Sequence, residues 1–179
     1  MFPYQLVTFA QLRKEGMDVP SIKNFSARLR LFPTPFKGIY YVPGEEERAS
    51  WSIGSPMRVL GRAIRLFLDS EKFYFTGALA EQKLGMRWQS TRQVHIVNPQ
   101  FAGRIKLRAR IDRNKKKTTF RAKKIARILE FYGDELVFHK VKRFEECKFK
   151  PTPQGNYATR GQVKKDAQRF GKREKKIRF

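Results

Sequence analysis

The spacing of hydrophobic side chains changes several times along the chain, and each change predicts a different element. Apolar residues recur every three or four positions over residues 56–69 and about 121–132, which predicts two amphipathic helices. Residues 77–84 predict a shorter helix that stops at a glycine. Apolar runs at residues 73–75 and 136–141 predict buried strands. Helices and strands thus alternate irregularly, and we expect an α+β fold.

The beginning of the chain predicts a small head. Thr8 is placed to cap a first short helix that closes at Gly16, and Pro20 stands at the start of a second helix. Prolines then exclude helix over residues 32–37, before a β-rich run at residues 38–43. Helix, turn, helix and a strand-bearing wing is the order of a winged helix, whose second helix enters the DNA major groove. Two short helices packed on a sheet, without any nucleic-acid role, would give the same pattern.

An acidic cluster at residues 44–48 predicts a solvated linker behind this head. From residue 151 onward the apolar content falls, and residues 164–179 predict a charged arm that is helical or disordered. We therefore expect a winged-helix-like head over residues 1–44, a mixed α/β body over 45–150 and a basic C-terminal arm over 151–179.

Residues 105–111 alternate between apolar and basic side chains. Because successive side chains of a strand point to opposite faces, this predicts a half-buried strand whose outer face carries Lys106, Arg108 and Arg110. A basic turn at residues 114–117 then leads into the next predicted helix.

Positive charge dominates the composition. Forty Lys and Arg face sixteen Asp and Glu in the 179-residue chain, so the formal net charge is +24. An excess of +11 falls in residues 101–150 alone. Self-repulsion of this size is relieved by a polyanion, which indicates DNA, RNA or another anionic surface as the partner. The lysine-rich surface of heat-adapted proteins is the alternative, but such surfaces usually add Glu as well.

Motifs for catalysis are missing from the sequence. It contains no phosphate-binding glycine loop, no paired-cysteine motif and no hydrolase or metalloprotease signature. His95 and His139 stand alone in apolar stretches, which argues against a zinc site, and the acidic residues show no ligand spacing. We expect neither enzymatic activity nor a cofactor or metal.

The single Cys147 cannot form a disulfide within the chain, which favours a reducing compartment. The first residues lack a signal-peptide pattern, and no apolar run approaches the roughly 18 residues of a membrane span. The sequence therefore predicts a soluble, cytoplasmic protein without a membrane partner.

Three segments carry a resemblance to a known family. Residues 38–43, then 73–85 and then 94–97 resemble, in the same order, parts of the AbiEi-like antitoxin family of transcriptional regulators. The resemblance implies a repressor that binds the promoter DNA of its own operon and counters a nucleotidyltransferase-like toxin. It further implies that residues 20–30 are the recognition helix and residues 37–41 the wing.

Charge, pattern and resemblance together predict a nucleic-acid-binding protein, with a DNA-binding regulator or antitoxin favoured. A ribosome-associated or other structured-RNA-binding protein is the alternative, in which Trp51, Trp88 and Tyr157 could stack on unpaired bases. Base contacts would fall to Ser21, Lys23, Asn24 and Arg28. The other candidate nucleic-acid contacts are Lys37, Arg58, Arg62, Arg65, Lys106, Arg108, Arg110, Lys115, Lys116, Lys117, Lys164 and Lys165.

Overall fold

The structure is a computed structural model that describes residues 2–176, with side chains up to residue 171. The fold is α+β, as the sequence predicts. The elements follow one another as β1 (Gln5–Thr8), α1 (Phe9–Lys14), α2 (Val19–Ala27), β2 (Phe32–Pro33), β3 (Ile39–Val42), α3 (Glu45–Ser50), α4 (Pro56–Leu68), β4 (Tyr74–Thr76), α5 (Ala78–Lys83), β5 (Gln93–Asn98), β6 (Gly103–Lys106), α6 (Leu107–Lys115), α7 (Phe120–Glu130), β7 (Glu135–Lys140), β8 (Phe149–Thr152), β9 (Gly155–Ala158) and α8 (Arg160–Lys176).

The chain forms two compact units. The first consists of Met1–Asp69 and Lys106–Tyr132, and the second of Ser70–Ile105 and Gly133–Phe179. The chain thus leaves the first unit and later returns to it, so neither unit is one continuous stretch. The three segments expected from the sequence meet at residues 44/45 and 150/151. The two units instead meet at residues 69/70, 105/106 and 132/133.

A three-stranded antiparallel sheet in the order β1-β3-β2 supports the start of the first unit. Its β1 strand was not expected from the sequence. Thr8 ends this strand and caps α1, as predicted, because its side chain accepts from the Gln11 amide while the Gln11 side chain accepts from the Thr8 amide. Leu12 of α1 and Ile22 of α2 pack together in the core beneath them.

Helix α2 is shorter than the sequence predicts. It begins after Asp18, whose side chain accepts from the Ser21 amide at 2.8 Å, and it ends at Ala27 with Arg28 as the C-cap. Leu29 follows in the left-handed region, at a φ of 52°. A left-handed residue cannot continue a right-handed helix, so the recognition helix expected over residues 20–30 stops three residues early.

The acidic segment behind β3 is not a solvated linker, which corrects the sequence-based expectation. It forms α3, and Glu47 is only 8% exposed. The Glu47 carboxylate accepts from the Tyr41 hydroxyl at 2.7 Å, the Gly44 amide at 3.1 Å and the Gly54 amide at 2.8 Å. One buried carboxylate therefore joins β3 to both ends of the α3 segment.

Residues 105–111 do not form the predicted strand. Strand β6 ends at Lys106 and α6 begins at Leu107, whose side chain is buried together with that of Ile111. Apolar residues four apart satisfy a helix as well as a strand, so the alternation was ambiguous. As a result Lys106, Arg108 and Arg110 do not share one strand face. Helix α6 packs against α7, and α7 contacts β2.

The second unit is built on a six-stranded sheet in the order β6-β7-β5-β4-β9-β8. Strands β5 and β7 run parallel, as do β4 and β9, whereas β4 is antiparallel to β5 and β8 to β9. The β9 strand and the second half of β8 fall in the stretch expected to be an arm. The structure therefore does not confirm a separate basic arm, and residues 177–179 lie outside the described residues.

Helix α8 is fixed to this sheet by a buried polar network. Asp166 is 3% exposed and accepts hydrogen bonds from the hydroxyls of Tyr74 and Thr76 and from Gln162 Nε2, with the shortest donor distance 2.7 Å. Burial raises the pKa of Asp166 above its ordinary 3.8, although the three hydrogen bonds lower it in part. Within the described residues, no helix has both the length and the apolarity needed to cross a membrane.

We expect Glu47→Ala to lower the free energy of unfolding by about 2–4 kcal/mol, because the substitution leaves the buried Tyr41 hydroxyl and Gly44 amide without an acceptor. Glu46→Ala is the matched control. The Glu46 side chain is exposed in the same first turn, so its loss should cost about 1 kcal/mol or less. Denaturant titration of the two variants checks this, and equal effects would contradict the anchoring role of Glu47.

A second prediction concerns Asp166 and pH. Because its folded-state pKa is raised, the native state holds this proton more tightly than the unfolded state does. The contribution of this protonation to the free energy of unfolding is complete below the pKa of Asp166 in the unfolded chain. It is lost as pH rises through the pKa of Asp166 in the folded protein. We expect the unfolding free energy of the wild type, minus that of Asp166→Asn, to fall as pH rises from about 4. A difference that stays constant across a pH series would refute the burial argument.

Candidate nucleic-acid interface

A groove of about 720 Å³ runs along α2 in the first unit, and we call it the α2 groove. Lys23, Lys37 and Arg121 line it, and its apolar floor comes from Phe9, Ile22 and Tyr40 with the small residues Ser26, Ala27 and Gly38. Three cations from α2, the β2–β3 turn and α7 thus meet in one groove, and no acidic residue is among its described lining.

A second groove of about 410 Å³, the turn groove, continues from the first. The two share Ser26, Lys37, Gly38, Tyr40 and Arg121. The turn groove adds the Arg110 guanidinium and the apolar side chains around the β2–β3 turn, again without an acidic residue in the described lining. A pocket elsewhere in the same unit, beside α3, mixes two arginines with two glutamates. The lack of acid is therefore a property of these two grooves and not of every concave surface of the unit.

Local chemistry holds Lys37 at the mouth of both grooves. The Thr34 hydroxyl donates to the Ile39 carbonyl at 2.8 Å and its oxygen accepts from the Phe36 amide at 3.2 Å, which closes the β2–β3 turn. Gly38 follows Lys37 with a φ of 78°, a conformation that favours glycine, and its carbonyl accepts from the Phe9 amide at 2.8 Å. The turn is therefore fixed at both ends, and the exposed Lys37 side chain extends from a rigid support.

The returning segment supplies the two arginines. Helix α7 is capped by the Thr119 side chain, and Arg121 and Ile125, one turn apart on this helix, both line the turn groove. Arg110 reaches it from α6, where its Nη1 donates to the Thr34 carbonyl at 3.2 Å. Burial lowers the pKa of Arg110, although a guanidinium stays charged at physiological pH. Arg121 was not among the residues singled out from the sequence.

The four residues expected to contact bases differ in their exposure and in whether they line the α2 groove. Lys23 is exposed and lines the α2 groove, while Asn24 and Arg28 are exposed beside it without lining it. Ser21 is half-buried, and its hydrogen bonds with Asp18 lower the pKa of that carboxyl. The helix cap therefore already uses Ser21 as a donor, which reduces what it can offer to a base edge.

Arginines of α4 form an exposed stripe, as predicted, but they line neither groove. Arg58, Arg62 and Arg65 are all exposed, and Arg62 Nη1 donates to the Tyr4 carbonyl at 3.0 Å. Helix α4 contacts β1 and β3 through its opposite, apolar face. The stripe is thus a separate basic surface within the first unit.

The remaining candidates of the returning segment lie around the α6–α7 hairpin. Lys106 is exposed at the N-cap of α6, and Arg108 forms an ion pair with Asp112 at 3.1 Å. Lys115 forms an ion pair with Glu130, whereas Lys116 and Lys117 are exposed in the turn between the helices. Over residues 107–130 ten Lys and Arg face two acids, and both acids are in these ion pairs.

Lys164 and Lys165 belong to the second unit. Both are exposed on α8, whose other face is held by Asp166 and by the buried side chains of Val163 and Phe170. They are therefore carried by a docked helix over this stretch.

The aromatic candidates are mostly committed to packing. Trp51 stacks on Phe32 at 6.1 Å between ring centroids, and the Lys124 ammonium lies 3.5 Å from the Trp51 centroid. Tyr157 is buried, whereas Trp88 is 97% exposed. Of the three, Trp88 alone presents a free ring face for stacking on a base.

The two histidines are not isolated, which corrects the sequence-based expectation. They lie on the neighbouring parallel strands β5 and β7, where His95 Nδ1 and His139 Nε2 are 2.8 Å apart. The His139 ring also stacks on Phe170 at 3.9 Å between ring centroids. Within the described part of the chain, no three His, Cys, Asp or Glu side chains are grouped so that they could hold a metal. No protein-family model, curated protein or solved structure matches the chain.

Proposed function

We propose that this protein is a DNA-binding transcriptional regulator whose first unit binds duplex DNA through α2, the β2–β3 turn and the α6–α7 hairpin. The observation that carries the proposal is the pair of acid-free grooves between these elements, in which Lys23, Lys37, Arg110 and Arg121 converge. A cationic concave surface with no acid in its described lining attracts a polyanion, because each cation neutralises a phosphate and releases counterions.

The order of elements supports a winged-helix interpretation of the head. Strand β1, two helices joined by a tight turn, and a hairpin whose last strand pairs with β1 would place α2 as the recognition helix and the β2–β3 turn as the wing. Lys37 at that turn would contact the DNA backbone, while Lys23 and Asn24 on α2 would face base edges. Arg28 would contribute from the end of the helix.

The antitoxin role is part of the same proposal and rests on the family resemblance of the sequence. On that basis the DNA site lies in the promoter of the protein's own operon, the protein partner is a nucleotidyltransferase-like toxin, and the protein acts in the cytoplasm by binding, without catalysis. The charge and the grooves support the DNA contact, and the resemblance supports the toxin contact.

The first test is salt dependence. We expect the logarithm of the duplex affinity to fall linearly with the logarithm of salt concentration, with a slope of about −0.9 for each neutralised phosphate. Replacing Lys116 and Lys117 with Gln should make that slope shallower by about 1 to 2, because the exposed hairpin turn then neutralises fewer phosphates. Fluorescence anisotropy over a salt series measures the slope. A flat response of the wild type would refute binding by charge neutralisation.

The second test separates DNA reading from RNA binding. After selection of a preferred duplex from a random pool, Asn24→Ala should cost about 1–3 kcal/mol on that duplex and much less on random duplex. Gln168→Ala, an exposed helical amide in the second unit, is the control and should change neither affinity. Competition against a structured RNA completes the design. If RNA outcompetes both duplexes and Asn24→Ala binds normally, the protein is an RNA binder and the regulator proposal is wrong.

A further inference from the structure

Arg110 is an unusual arginine for its surroundings. It is half-buried in the first unit, and its one hydrogen bond to a described residue is the donation from Nη1 to the Thr34 carbonyl. Among the side chains that the structure describes, up to residue 171, no carboxylate forms an ion pair with it. A guanidinium has five N–H donors, so four of them have no acceptor among the described residues, and Arg110 lines the turn groove. Keeping a charged group partly dehydrated in this way costs free energy unless an anion joins it.

Two further cations border the same groove. Arg121 and Lys37 are both exposed, and neither forms a hydrogen bond or ion pair between its side chain and any described residue. The three cations come from α6, α7 and the β2–β3 turn. The two acids of the α6–α7 hairpin, Asp112 and Glu130, form ion pairs with Arg108 and Lys115, and no acid lines the turn groove.

The shape of the turn groove selects among anions. Its lining includes the apolar side chains of Pro33, Pro35, Phe36, Ile39 and Ile125. Apolar walls lower the local dielectric constant and so strengthen charge-assisted hydrogen bonds. A carboxylate would satisfy one arginine fork, whereas a phosphate offers enough oxygens to accept from two forks and an ammonium together.

We propose that the turn groove is a phosphate-binding site in which Arg110 and Arg121 hold the phosphate oxygens and Lys37 closes the open side. The phosphate is either a backbone phosphate of a bound nucleic acid or the phosphate of a free small molecule. In the first case the inference rests on the proposed function and deepens it, since it places one backbone contact within the groove. In the second case it stands without that function.

The probe for the site itself is inorganic phosphate added to the full chain. Arginine Nε–H resonances, recorded by NMR with chloride at matched ionic strength as the reference, report on each guanidinium. We expect saturable shifts of the Arg110 and Arg121 signals with phosphate and none with chloride. In Arg110→Lys, which keeps the charge but loses the fork, and in Arg121→Gln, the phosphate affinity should fall about tenfold or more. Arg127→Gln on the same helix removes the same charge and should bind as the wild type does, because Arg127 does not line the groove.

Two further arms identify the source of the phosphate. Two results together support a backbone phosphate. Duplex DNA displaces inorganic phosphate from the site, and Arg121→Gln binds that duplex about tenfold more weakly than Arg127→Gln does. Displacement by AMP but not by duplex supports the free ligand, and the site then stands although the proposed function fails. Absence of saturable phosphate shifts overturns the site. Equal losses in Arg121→Gln and Arg127→Gln also overturn it, even when duplex binding itself is retained. Normal thermal unfolding of each variant shows that the loss is not one of folding.

Discussion

Like-charge repulsion is the constraint under which this chain folds, because sixteen acidic side chains are too few to neutralise forty basic ones. The acids are used in two ways. Some pair with arginines or lysines at the surface, as Asp112 does with Arg108 and Asp134 with Arg92. Others are buried and accept hydrogen bonds instead of forming surface ion pairs. Glu47 does so in the first unit and Asp166 in the second. Each buried acid joins separate elements by accepting hydrogen bonds, and the Arg169 charge also acts on Asp166.

Elements with a strong local signal could be predicted from the sequence. The apolar stripe of residues 56–69 became α4 and that of about 121–132 became α7, because in both helices the periodic face is the buried one. The Thr8 cap was recognisable, since a side chain that accepts from the backbone three residues later is a local contact. The strands at β4 and β7 were predicted for a related reason, as their short apolar runs are buried on both faces.

Elements decided by distant contacts could not be predicted. The alternation over residues 105–111 fits a strand and a helix equally, and the packing of Leu107 and Ile111 against the first unit decides for the helix. The sequence predicted Glu47 to be a solvated charge, because the residues next to it do not indicate that Tyr41 and Gly54 donate hydrogen bonds to its carboxylate. Of the four groove cations, Lys23, Lys37 and Arg110 were among the candidates from the sequence. Arg121 was not, because it comes from a segment about eighty residues beyond the β2–β3 turn, and only the fold brings the two together.

The return of the chain to its first unit therefore changes what the head can do. A two-helix head with a short hairpin has few cations of its own, with an excess of only +2 over residues 1–50. Residues 106–132 bring an excess of +9 back to the first unit, where the Thr34 carbonyl holds Arg110 beside the β2–β3 turn. The hydrogen bond fixes the guanidinium before any ligand arrives, so less side-chain entropy is lost on binding than a free lysine would lose.

A bound anion would in turn stabilise the α6–α7 hairpin against the head, because whatever binds the folded state alone shifts the folding equilibrium towards it. An anion held by Arg110 and Arg121, as we propose, would therefore link binding to the folding of the first unit.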